Sequence, residues 1–248
     1  MSQLTYDQLI AKGKVPGARH QSSYGVRTST GSEEDYPVWP DGQIALPPAG
    51  GLQMTVVSDD AADDIAGTGA RVLQIHYLNG SYMPKVENVE MDGETPVLTV
   101  AEDIMWIQCT HIHDVGTGKK TAGDITVTNA GTTYSIIKAN KVRCSSSFRM
   151  VPAGKTVTIL GAVGSSISGT AATRTELNFV ANRLDAHSYH DPLIFIPFST
   201  IGLQDNALGF NFPESEPFPE KTLIGMTHSS DKGCTVGGTW FGRGENAQ

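Results

Sequence analysis

Residues 122–136, AGDITVTNAGTTYSI, decide the architecture. Ile125 and Val127 alternate with threonines, Asn129-Ala-Gly131 interrupts, and Tyr134-Ser-Ile136 resumes the alternation. Strand side chains point to opposite faces with a period of two, and β-branched and aromatic residues suit a pleated surface. Asn and Gly tolerate the positive φ angles that close a tight hairpin. The stretch therefore predicts two antiparallel strands with one apolar face.

The same grammar extends in both directions. Upstream, alternating runs occupy 52–56, 72–77, 96–100 and 104–108, separated by Gly67-Thr-Gly69, Asn79-Gly80, Asp92-Gly93 and Gly116-Thr-Gly118. Downstream, further runs occupy 142–151, 156–160, 175–183, 193–198, 203–210, 221–227 and 235–241. The loop 212–220, FPESEPFPE, reads as a rigid exposed connection. Short strands at regular spacing with explicit turns predict an all-β, antiparallel β-sandwich of jelly-roll or immunoglobulin-like type. Its length allows two packed sandwich units, 51–140 and 141–248. Charged residues make up only 18% of the chain while Gly reaches 27 and Pro 13, which fits strands and turns rather than helices.

Residues 1–50 are of a different kind. Thr5 is placed to cap a short helical turn over 5–11, after which Gly, Ser and Pro dominate. Such a segment buries too little apolar area to fold alone. It is expected to be an extended arm, with Tyr24, Tyr36 and Trp39 as anchors on a neighbouring subunit. Removing residues 1–45 is then expected to abolish partner binding and leave the sandwich folded.

A family signal lies in 58–97, SDDAADDIAGTGARVLQIHYLNGSYMPKVENVEMDGETPV. An acidic, Ala-rich run (Asp59 to Asp64) precedes Gly67-Thr-Gly-Ala-Arg71, a strand, Leu78-Asn-Gly80 and Glu87 through Val97. Residues 122–129 and 151–155 continue it. This order of elements resembles β-sandwich virion structural proteins of tailed bacteriophages. The resemblance implies a capsid decoration, or cement, protein on the outside of the head. Such a protein would bind the major capsid protein, self-associate as a homotrimer and be made in the host cytoplasm. A neck or tail component such as a tail-fibre adaptor carries the same kind of sandwich and is the alternative.

Composition and motifs narrow the other classes. A net charge of −8 argues against a nucleic-acid surface, which needs clustered Lys and Arg. No run reaches the roughly 18 to 20 apolar residues of a membrane helix, and MSQLTYDQLI lacks the basic and apolar regions of an export signal. Cys109, Cys144 and Cys234 read as isolated strand residues of a chain made in a reducing cytosol, without a disulfide framework. No Gly-x-Ser-x-Gly, His-Glu-x-x-His or phosphate-loop pattern occurs, so no enzyme activity and no cofactor are expected. His111 and His113 share a strand face and His187 and His190 share a loop, so together they are the candidate metal ligands. The default for each pair is no metal. The run Asp59 to Asp64 could offer carboxylates to Ca²⁺, but it lacks the spacing of a calcium loop and reads as a solvated acidic turn. Trp39, Trp106 and Trp240 are the candidates for a glycan-binding module, with Trp106 placed in the core.

Overall fold

The structure is a computed structural model, describing residues 5–41, 44–168, 174–183, 196–204, 207–211 and 216–247. It is all-β, with every strand pairing antiparallel. The chain divides into two compact units, residues 39–146 and residues 1–38 with 147–248.

In the unit formed by 39–146, one sheet has the order β6 (Val97–Leu98), β3 (Thr55–Ser58), β8 (Ile125–Asn129), β9 (Thr132–Ile137). The other runs β5 (Pro84–Glu90), β4 (Ala70–Asn79), β7 (Ile104–Val115). Alternate residues of both sheets interdigitate: Val56, Ile125 and Val127 from the first meet Leu73, Ile75 and Ile104 from the second. Each such side chain withdrawn from water contributes roughly 1.5–3 kcal/mol. The β8–β9 hairpin closes through two left-handed positions, Gly131 at φ 82°, as its sequence predicts, and Ala130 at φ 47° in place of Asn129. Strand β5 shows no alternating apolar stripe, because PKVENVE is mostly exposed, buries only Val89 and carries charges at Lys85, Glu87 and Glu90. Those charges suit an edge strand, where they discourage pairing with another chain.

The second unit contains β10 (Arg149–Met150), β11 (Lys155–Ser168), β12 (Arg174–Arg183), β13 (Ile196–Gln204), β14 (Ala207–Asn211), β15 (Thr222–Ser230) and β16 (Cys234–Asn246). The segment read as an arm contributes two more strands, β1 (Arg19–Thr28) and β2 (Glu33–Pro37). One sheet has the order β1-β16-β11-β14 and the other β10-β15-β12-β13, with β2 also on β15. Val157, Ile159, Val236 and Trp240 face Leu177, Phe179, Ile224 and Met226 between the sheets. Trp240 donates its indole N–H to the Ser147 carbonyl at 2.7 Å, so its one polar atom is satisfied inside the core.

The structure thus departs from the reading of 1–50 as an arm. Arg19 to Thr28 pairs along its length with Gly244 to Thr235. Its inward positions are Ser23, Gly25 and Arg27, opposite Trp240, Gly238 and Val236. None of the three is an apolar side chain, so no buried stripe marks the strand in the sequence. Gly25 is required there: a Cβ would sit 2.1 Å from the Val38 carbonyl oxygen. Deleting residues 1–45 would remove two strands of this unit and cannot leave it intact. Two smaller expectations also change. Residues 142–151 form an irregular segment with only Arg149–Met150 in a ladder. In the 212–220 loop, Phe218 exchanges two backbone hydrogen bonds with Val157, at 3.0 and 2.8 Å, and packs on the core. Thr5 caps α1 (Tyr6–Ala11) through a capping box with Gln8, as its sequence predicts.

Candidate assembly surface

The three residues assigned to partner binding have different fates. Trp39 is buried, 3% exposed, and cannot anchor a neighbour. Tyr36 is half-buried, with the Arg27 guanidinium 4.8 Å over its ring. Tyr24 is 41% exposed and stands on the outer face of the sheet containing β1, β16 and β11. Register places Tyr24, Thr239 and Val163 in one row across that face, and Val26, Gly237 and Ser165 in the next. Phe241 and Ile167, 37% and 69% exposed, lie on the flanking rows. These rows contain no Asp, Glu, Lys or Arg. Because successive strand residues alternate, the inward positions Ser23, Gly25 and Arg27 of β1 place Tyr24 and Val26 outward. A face about 20 by 20 Å covers roughly 400 Å², half of what each partner contributes to a standard interface.

Inside the same unit lies a buried ionic triad. Glu33 accepts two hydrogen bonds from Arg27, at 2.8 and 2.6 Å, and both side chains are only about one-eighth exposed, 12% and 13%. His228, fully buried, places Nε2 2.9 Å from Glu33 Oε2, off hydrogen-bond alignment. Its Nδ1 lies 3.3 Å from the Tyr36 carbonyl oxygen. A neutral ring donates to one acceptor; a protonated ring would serve both but would add a third buried charge. Burial pushes the imidazole below its ordinary value, against the opposing pull of the Glu33 carboxylate. A group with a depressed folded value takes up its proton more readily once unfolded, so acid favours unfolding. The stabilising contribution is complete above about pH 6.5, the ordinary imidazole value, and is lost as pH falls through the lower folded value. Urea midpoints of the native protein should fall between about pH 7 and 5, and His228→Gln should flatten that slope.

Within the acidic run 59–64, Asp59 is exposed and Asp60 and Asp64 are half-buried, as a solvated turn would have them, and Asp63 departs from that expectation. Asp63 is fully buried. Its Oδ1 accepts from the backbone N–H groups of Ala70 (2.6 Å) and Ala122 (2.9 Å). Its Oδ2 accepts from Gly123 N–H (2.9 Å) and the Ser58 hydroxyl (2.7 Å). Asp59, Asp60 and Asp64 each accept one backbone N–H, from Asp124, Ala62 and Ala66. These carboxylates organise three loops. Gly69 belongs to this cluster by contact: a Cβ there would stand 2.1 Å from Asp63 Oδ1. The Gly-Thr-Gly-Ala-Arg element is therefore the seat of a buried carboxylate.

The histidine candidates do not assemble. His111 stacks on His76, with ring centroids 5.1 Å apart and planes at 27°, while His113 is exposed. His187 and His190 lie outside the described residues. Among the described residues, no group of three or more His, Cys, Asp or Glu side chains is arranged to hold a metal ion. A cleft of about 650 Å³ is lined by Ser32, Glu33, Glu34, Arg174, Glu176, Ser229, Ser230 and Asp231. It presents no aromatic ring on which a sugar could stack, and Trp106 and Trp240 are buried. No helix among the described residues is long and apolar enough to cross a membrane.

No family model matches the chain, and no curated protein matches it. Among solved structures, it is weakly similar to that of the infectious bursal disease virus Gx strain, with a TM-score of 0.26 and 10% identity over 93% of this chain and 73% of that one. The VP2 subviral particle of the same virus gives a TM-score of 0.21 and 8% identity over 92% and 76% of the two chains.

Proposed function

We propose that this chain is a non-enzymatic structural protein of a virus particle, a decoration (cement) protein on the exterior of a tailed-phage head. The observation that carries the reading is the uncharged outer sheet face around Tyr24, Val163, Phe241 and Ile167 on a chain of net charge −8. Acidic copies repel at long range, so close packing on a lattice favours contact through a face that carries no charge. The ordered resemblance over 58–97 supports the phage setting. The chain would act mechanically, covering junctions between major capsid proteins as a homotrimer, with many weak contacts summed by avidity.

The test is to place charge on this face. Tyr24→Asp with Phe241→Asp alters exposed positions and should change folding stability by only about 0.5 kcal/mol per site. Sedimentation with purified phage heads should then show binding lost, at least about tenfold, since a desolvated carboxylate at an interface costs several kcal/mol. Undiminished binding of the folded double variant would overturn this face as the contact. A copy number in particles that matches the tail or vertex instead of the shell would move the protein to the neck or tail.

A further inference from the structure

We propose that Cys109 and Cys144 form a site of oxidative modification, a dithiol that a small-molecule disulfide converts into an intrachain cross-link. The two sit 35 positions apart in sequence, yet the Cys144 thiol points at Cys109 Sγ from 3.5 Å. Backbone pairing holds them there. Residues 142–144 run antiparallel beside β7: Ile112 N–H donates to the Val142 carbonyl and Cys144 N–H to the Thr110 carbonyl, each at 2.9 Å. His111 and Arg143 form a bridge between these two bonds. A disulfide then needs the sulfurs to close by about 1.5 Å.

The exposures set the order of events. Cys109 is half-buried and Cys144 only 8% exposed, so a reagent from solution meets Cys109 first. The Cys109 thiolate attacks glutathione disulfide, forms a mixed disulfide and releases one glutathione thiolate. Cys144, as thiolate, then attacks the Cys109 sulfur and displaces the second glutathione. Two protein thiols are oxidised, one glutathione disulfide is reduced to two glutathiones, and the two protons pass to the departing thiolates. The Thr110 N–H lies 3.3 Å from Cys144 Sγ and supports negative charge on that sulfur as it attacks. Cys234 provides an internal control in the other unit: its buried sulfur sits 3.9 Å from the hydroxyls of Ser29 and Thr175.

The chemistry holds whatever the protein binds. The native full chain should be incubated with glutathione disulfide, alkylated, and mapped without reduction by mass spectrometry. The expected product is a single peptide pair joined through Cys109 and Cys144, with Cys234 alkylated on denaturation. The thiol count of the denatured protein falls from three to one. Cys144→Ser should trap glutathione on Cys109, and Cys109→Ser should leave Cys144 unmodified. Glutathione persisting on Cys109 of the unsubstituted chain, or both thiols recovered alkylated, would overturn the proposal, and that map decides it even if a variant fails to fold.

Discussion

Asp63→Ala should unfold the unit formed by residues 39–146, or bring it to the edge of unfolding. The substitution leaves three backbone N–H groups and the Ser58 hydroxyl without their shared acceptor. Each abandoned buried group costs about 1–3 kcal/mol. Water entering the vacated space recovers part of this, so a net loss on the order of 4 kcal/mol or more is expected. That compares with a total stability of roughly 5–15 kcal/mol for a domain. Asp63→Asn preserves the shape and keeps one acceptor oxygen for Ala70 and Ala122. It turns a donor toward Gly123 N–H, and about half the loss is expected. Urea unfolding of the two variants measures the order directly. Equal and small losses for both would show that the carboxylate is replaceable and its four donors find water.

The second large effect is expected at the ionic triad. Glu33→Ala removes the two hydrogen bonds that Arg27 donates to Glu33 and takes the carboxylate away from a largely buried guanidinium, at a cost of about 3–5 kcal/mol. The pair itself is worth far less than that figure, because desolvation opposes its attraction. The double replacement Arg27→Met with Glu33→Leu should therefore recover most of the loss. A double variant as unstable as Glu33→Ala would mean that the Arg27 stack on Tyr36, or the Glu33 contact with His228, holds β2 in place. A double-mutant cycle in denaturant separates the two outcomes.

Strand period and turn chemistry made most of the architecture legible. The β8–β9 hairpin, the alternation of β4 and β16, and the N-cap of α1 follow from local rules, because a strand or turn is specified by neighbours in sequence. Strands β1, β2 and β5 escaped because their buried positions are small, charged or few. Their place is set by partners more than a hundred residues away in the case of β1 and β2. The assembly residues divided in the same way. The sequence offers Tyr24 as an aromatic anchor on an extended arm, yet only the pairing of Ser23, Gly25 and Arg27 against β16 shows that it stands on the outer face of a sheet. Trp39 was equally conspicuous in sequence and is buried.

The sequence by itself determined an all-β chain of antiparallel strands, because periodicity and turn residues act over a few positions. Tertiary structure alone decided that residues 1–38 belong to the same unit as residues 147–248. It also turned an acidic run into a buried carboxylate with four donors, and set two distant cysteines 3.5 Å apart. Those features depend on which strands become neighbours. Side-chain pattern records which face of a strand is buried, but not against what.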